Sequence, residues 1–467
     1  MQTLIKNIGL LAGIADVSRK EGAAMSEVGC FRNAWLLLDG DRIADFGGSS
    51  PEGGVPPSGV RPSDSPHHPF GAVPPLPNRG CYAPQGESPF PADADATIDA
   101  AGGMVLPAFC DSHTHIVWAG SREREFEDKI RGLSYAEIAA RGGGILNSAD
   151  LLHATSEDEL YRQSLERVRE MMACGTGAIE IKSGYGLTTE DELKMLRVIR
   201  RISEAVPAVV RATFLGAHAV PRDMTREDYV RKVCIEMIPA VAAEGLADFV
   251  DVFCEEGFFS VEDTARILEA GAKYGLRPKL HANQLHMSGG VQVGVAHGAL
   301  SVDHLERTTD AEIACLKGTA TMPTMLPGAS FFLREPYGNA AGFIREGLGV
   351  ALASDYNPGS SPAGDMRFVM ALGCIQMRLT PEQAFNAVTL NGAYAMGLSG
   401  DSAFCAAPAV PASIPALGAI ARGKLANLII TRPEFNSLGS IAYLYQTPFI
   451  SKVILKGKPL DRQAGEF

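Results

Sequence analysis

A chain of 467 residues, 46% hydrophobic and 21% charged, is long enough for one large domain with a smaller companion and can bury a substantial core. Its net charge of -12 argues against nucleic-acid or membrane-surface partners, which need a basic face, and no apolar run is long enough to span a bilayer. Nine cysteines without a Cys-x-x-Cys pair, with Cys110, Cys174, Cys234 and Cys254 inside apolar runs, suit packing in a reducing cytoplasm rather than a disulfide framework.

The chain opens with "MQTLIKNIGLLAGIAD", which lacks the basic start, long core and small-residue cleavage site of a signal peptide and reads as a strand. In "AWLLLDGDRIADFG", Asp39-Gly40 marks a hairpin turn between two apolar runs. Residues 47–96 then turn rich in Pro, Gly and Ser, the composition of a mobile surface insertion. His67 and His68 inside it have no Cys or carboxylate partner at metal spacing, so they read as solvated side chains.

From Met104 to about Leu398, short β-prone runs alternate with stretches of helical apolar spacing. The runs are "MVLPAFCDSH", "GAIEIKSGYG", "VVRATFLGAH", "ADFVDVFCEE", "RPKLHANQ", "ALSVDHLE", "ATMPTMLPG" and "GVALASDYNPG". Ser156 and Thr188 precede acidic residues at two helix starts, as N-caps do. Consecutive βα units predict an α/β fold with a closed (β/α)8 TIM-like barrel over residues 106–398. No Gly-x-Gly-x-x-Gly follows a strand, which disfavours an open nucleotide-binding sheet. A second insertion of the Pro-rich kind runs from about Leu398 to Leu417, and "ANLIITRPEF" and "SKVILKGKPL" read as strands. Segments 1–105 and 399–467 together predict one small β-sandwich built from both chain ends.

In such a barrel the chemistry sits at the C-terminal strand ends, where this sequence has His113, His115, His218, His281, His304 and Asp355. Strand alternation points His113 and His115 the same way, into the barrel mouth. A lone strand histidine is more often a satisfied core residue than a ligand. A whole set at one end of separate strands would leave a dry core with unsatisfied polar atoms. Three neutral imidazoles and a carboxylate are the ligand set of a borderline divalent cation such as zinc or iron. His153 and His297 read as surface or capping residues, and His286 as structural or supporting.

The motifs "DSHTHIVWAGSREREFEDKIRGLSYAEIAARGGGI", "IEIKSGYGL", "TFLGAHAVP", "KLHANQLH", "SVDHLE" and "ASDYNPGSSP" resemble the amidohydrolase superfamily over Leu106 to about Leu398. Within it, Gly-Ser-Arg, Lys-Ser-Gly-Tyr-Gly and Asp-Tyr-Asn-Pro-Gly-Ser-Ser resemble the branch that hydrolyses 4-imidazolone-5-propanoate to N-formimidoyl-L-glutamate in histidine degradation. The resemblance implies one divalent metal, zinc or iron, held by His113, His115, His281 and Asp355. It implies substrate contacts from Arg122, Tyr185, His218 and Ser360, and contacts to the ring-opened product from Asn357 and Gly359. Gln284 and His304 would flank the activated water, with Asp355 sharing the proton transfer and His218 donating to the developing oxyanion. It implies a small-molecule substrate and a homodimer.

Two departures stand out. Asn283 replaces an Asp of many relatives, and Gln284 replaces a Glu of some, which removes a carboxylate shuttle at that position. On the residues alone, Arg122 suits either a substrate carboxylate or a surface ion pair with Glu123, Glu125 or Glu127. Lys182, on the second strand, suits a structural role and a single metal. A deaminase with the same barrel would not need Arg122, and an assembly protein would lack the candidate ligands.

Overall fold

The computed structural model describes residues 1–49, 80–82, 91, 94–133, 143–400 and 416–460. His67, His68 and most of the two segments read as insertions lie outside these residues.

The strands β1 (Gln2–Ile14), β2 (Glu27–Asp39) and β3 (Arg42–Ser49) form an antiparallel meander. Asp39 lies opposite Arg42, so the turn is the expected hairpin. β4 (Gly80–Tyr82) pairs with β2, and both β5 (Ala96–Asp99) and β6 (Met104–Pro107) run parallel to β1.

A single residue, Ala108, then separates β6 from β7 (Phe109–Asp111), which belongs to the barrel. The run "MVLPAFCDSH" is therefore two strands in two sheets, because apolar residues on both sides of Ala108 suit burial in either layer.

The barrel continues through β8 (Thr176–Lys182), β9 (Val209–Ala217), β10 (Phe249–Cys254), β11 (Arg277–Pro278), β12 (Leu280–Ala282), β13 (Ser301–His304), β14 (Met322–Met325) and β15 (Ala351–Leu352). All pairings are parallel, in the order β7-β8-β9-β10-β12-β13-β14-β15, with β11 beside β10.

The helices between them form as their caps suggest. Ser156 accepts from the Glu159 amide and Thr188 from the Asp191 amide, opening helices Glu157–Ala173 and Thr189–Ala205. Each helix turns an apolar stripe inward, Leu160, Val168 and Met171 on the first and Met195, Ile199 and Ile202 on the second.

The chain end returns to the first sheet. β16 (Leu428–Thr431) pairs antiparallel with β6, and β17 (Ile450–Leu455) and β18 (Lys458–Pro459) follow. The strands of both chain ends thus form one hydrogen-bonded sheet, with an apolar cluster of its own that includes Ile5, Leu36, Val105, Leu428 and Ile454. No helix among the described residues is long and apolar enough to cross a membrane.

The barrel closes at its first and last strands. Thr114 bridges Tyr356, the Asp355 amide donates to the His113 carbonyl at 3.0 Å, and the His115 amide donates to Tyr356 at 2.9 Å. Below them, the buried carboxylate of Asp111 accepts the Ser354 amide at 3.0 Å and the Ser354 hydroxyl at 2.5 Å. This seam fixes the two candidate ligands of the first strand end against that of the last. Asp111→Ala leaves two buried donors unpaired and is expected to destabilise the fold by about 2–4 kcal/mol. A lowered urea midpoint checks this, and an unchanged midpoint would show that the seam does not depend on the carboxylate.

Candidate active site and metal centre

At the C-terminal mouth of the barrel, a cavity of about 540 Å³ is lined by His115, Arg122, Tyr185, His218, His281, Gln284, His304, Asp355, Asn357, Gly359 and Ser360. His113 lies at its base. All the site residues expected from the sequence therefore meet in one place.

The Nε2 atoms of His113, His115 and His281 form a triangle with sides of 3.1, 3.3 and 3.3 Å. Asp355 Oδ1 stands 3.7 Å from His113 Nε2 and 3.5 Å from His115 Nε2. Four-coordinate zinc with bonds of ~2.0–2.1 Å separates its ligand atoms by about 3.3 Å, the scale of this triangle.

The tautomers support the same fit. His113 Nδ1 is 2.6 Å from Asp303 Oδ2, and His281 Nδ1 is 3.0 Å from Asp251 Oδ2. A carboxylate only accepts, so His113 Nδ1 carries the hydrogen and its Nε2 presents a lone pair, and the Asp251 charge beside His281 Nδ1 favours the same tautomer there. Burial, then Lys182 beside His113 and the His218 ring beside His115, holds both well below the ordinary imidazole range, and hence neutral. Lone pairs 3.1 Å apart cannot hydrogen-bond to one another; a shared cation resolves their repulsion. The residues present thus fit a divalent ion.

The two orienting carboxylates belong to a buried ionic layer that the sequence reading did not single out. Lys182 Nζ is 2.5 Å from Glu180, 2.9 Å from Asp251 and 3.8 Å from Asp303, all without solvent exposure. Lys279 Nζ binds the other Glu180 oxygen and the Ser112 carbonyl. Burial opposes the charge on Lys182, but Asp251, Glu180 and Asp303 outweigh it and hold the ammonium protonated. Lys182 is thus wholly enclosed among carboxylates of its own and other strands. Two inward-facing ionisable residues two apart in an apolar strand (Glu180 and Lys182; Lys279 and His281) are the signal that reveals such a layer.

Around this centre the remaining groups are held by specific partners. His304 has φ +87°, and its Nδ1 stands 3.4 Å from the buried carboxylate of Glu306. Burial favours neutral imidazole there, but Glu306 and then Asp355 outweigh it and raise the His304 pKa. The Ser360 hydroxyl donates to Asp355 Oδ2 at 3.0 Å, on the oxygen other than the one nearest the histidines. The Asn357 side-chain oxygen accepts the Gly359 and Ser360 amides at 2.8 Å, which shapes the loop.

Tyr185 rides on a loop fixed by Glu192, whose carboxylate accepts the amides of Gly184, Gly186 and Leu187 at 3.1, 2.8 and 3.0 Å. Gly184 has φ +113°, and a Cβ there would stand 2.9 Å from His218 Nδ1. His218 Nδ1 donates to the Gly184 carbonyl at 3.0 Å, and burial, then His281, depresses its pKa to about 3. A neutral ring with hydrogen on Nδ1 accepts at Nε2, so the expected donation from His218 to an oxyanion is corrected to acceptance from a donor.

Arg122 faces the cavity and pairs with one of the three acidic neighbours the sequence offered. It lines the cavity, and its Nε and Nη2 donate to Glu125 Oε2 at 2.9 and 2.5 Å in a buried pair rather than a surface one. Lys129, also on the cavity wall, binds the Gly359 carbonyl.

The other histidines stay peripheral. His297 caps a helix end, bonding the Val293 carbonyl at 2.9 Å. His286 is exposed, with Nδ1 3.2 Å from Glu255. His153 ends helix Ile145–His153 rather than following a loop, and bonds the Gly186 carbonyl at 2.7 Å. Asn283 donates to the Arg307 carbonyl at 2.9 Å and serves the backbone.

Asp303→Asn removes the charge that orients His113, and metal affinity is expected to fall ~10–100-fold. Competition against a chromogenic chelator measures this, and unchanged affinity would show that Asp303 does not hold the ligand.

Residues 104–460 match the Amidohydrolase family. The imidazolonepropionase of Flavobacterium johnsoniae is 47% identical over 98% of this chain and 100% of its own length. That of Christiangramia forsetii is 46% identical over the same shares. A solved triazine hydrolase variant shares the fold, with a TM-score of 0.67 at 13% identity over 98% of this chain and 94% of that one. The chain belongs to the amidohydrolase family, in the branch of its imidazolonepropionase relatives.

Proposed function

We propose that this protein hydrolyses 4-imidazolone-5-propanoate to N-formimidoyl-L-glutamate in histidine degradation, using one divalent ion, zinc or iron, held by His113, His115, His281 and Asp355. The observation that carries the reading is that one cavity joins this His and Asp cluster to the buried guanidinium of Arg122. A cyclic amide with a carboxylate tail needs both ends. The relatives named imidazolonepropionase support the same substrate.

The reaction adds the oxygen of water to the ring carbonyl carbon and breaks its bond to the ring nitrogen, which takes up a proton. A divalent ion, when bound, polarises a carbonyl and makes water a stronger acid. His304 is the group suited to take the proton of the attacking water, because Glu306 faces its Nδ1 and leaves Nε2 for the cavity. It can return that proton to the departing nitrogen. Asp355 can share the transfer, with its other oxygen fixed by Ser360. His218 accepts a ring N–H, and Tyr185 packs against it with ring centroids 5.4 Å apart. Gln284 can orient water but holds no titratable proton. Arg122 binds the tail, held in its place by Glu125.

Free thiols on the described cysteines support a cytoplasmic protein, and a homodimer is expected from the resemblance. Sedimentation of the purified chain tests the dimer.

Turnover of imidazolone-propanoate by the wild type tests the reading. Arg122→Ala is expected to raise KM by roughly 100-fold while keeping its metal. An unchanged KM would remove the tail from the account. The negative charge of Glu306 stabilises imidazolium at His304, so its loss lowers that pKa and keeps the base neutral to lower pH. Glu306→Gln is therefore expected to move the acid limb of kcat/KM downward, and a limb that stays put would exclude His304 as the base.

A further inference from the structure

We propose that Lys129 supplies the net positive charge that selects an anionic tail, with Arg122 and Glu125 supplying its geometry; this rests on the imidazolone-propanoate reading.

Glu125 and Lys129 lie four apart on helix Glu123–Ile130 and so share a face. Glu125 Oε2 takes two donors of Arg122, while Oε1 accepts the Gly144 amide at 3.1 Å and the Asn147 amide at 3.3 Å. The guanidinium is fixed, but a buried carboxylate matches its charge one for one. An anion approaching Arg122 meets the field of Glu125 as well.

Lys129 changes that balance. Its Nζ sits on the Gly359 carbonyl and 5.1 Å from the centre of the Phe332 ring, on the wall of the same cavity. A Cβ on Gly359 would lie 2.0 Å from Arg122 Nη1, so a side chain there would push the guanidinium off its place beside Glu125. Among the described residues around Gly359, Lys129 adds a second positive charge to the Arg122–Glu125 pair. Burial, then the neighbouring Arg122 charge, lowers the Lys129 pKa to about 8, the state of an ammonium that gains from an incoming anion. Arg131, exposed just past the same helix and absent from the cavity wall, serves as a control for general surface charge.

The test uses metal-loaded protein and two stable probes, 3-(imidazol-4-yl)propanoate and its primary amide, measured as inhibition or binding constants. Lys129→Met keeps the stem against Phe332 and is expected to weaken the carboxylate probe by about tenfold or more, leaving the amide within about twofold. Lys129→Arg restores the carboxylate preference, and Arg131→Met leaves both probes unchanged. For the substrate, Lys129→Met raises KM and leaves kcat within about threefold, with metal content unchanged. Equal losses on both probes, no loss on either, or a wild type without carboxylate preference would overturn the proposal. A wild type that prefers the carboxylate but does not open imidazolone-propanoate would remove the reaction and leave the anion site standing.

Discussion

Five ionisable side chains buried without solvent inside one barrel impose the constraint on which the site depends. Glu180, Asp251 and Asp303 supply three carboxylates against the two ammonium groups of Lys182 and Lys279. None can be stable alone at that depth; removing one partner of such a set costs about 3–5 kcal/mol because a charge is stranded. The same contacts that neutralise the layer direct its outer oxygens at His113 and His281, and so fix which ring nitrogen of each faces the cavity. The layer keeps one more carboxylate than ammonium, a surplus of negative charge beneath the point where the imidazoles converge. Fold stability and the preference for a dication are one electrostatic arrangement.

Backbone conformation does the rest of the aiming. Asn283, His304, Leu305 and Asp355 have φ of +57, +87, +65 and +54°, a region uncommon for non-glycine residues and most unusual here for Leu305. All lie at strand ends on the cavity side, held by barrel hydrogen bonds such as Leu305 to the Ala282 carbonyl and Asp355 to that of His113. On β13, regular alternation turns Asp303 toward the interior; the left-handed turn at His304 brings the next side chain in as well. Two consecutive residues thereby serve the same site, one behind a ligand and one beside the reacting groups.

The barrel, its helices and the converging histidines were legible because they follow from period-two alternation, capping residues and strand-end position. The split at Ala108 was not, since Leu106 and Phe109 are equally apolar and only their partners, Ile429 in one sheet and Thr176 in the other, tell them apart. Glu192, and the choice of Glu125 among the three partners the sequence offered for Arg122, needed the fold for another reason. Both stand in the first turn of a helix, where an acidic residue is ordinary, yet one fixes Arg122 and the other cradles the loop of Tyr185. The direction of the His218 hydrogen bond was also beyond the sequence, because the tautomer is set by a carbonyl, Gly184, that only the fold brings near.

The most direct measurement is a zinc titration of the metal-depleted chain, followed by calorimetry and elemental analysis, for the wild type and for His281→Ala. The account predicts one tight equivalent per chain, lost in the variant. Two equivalents, or a variant that binds as tightly as the wild type, would contradict a single ion gathered by these side chains.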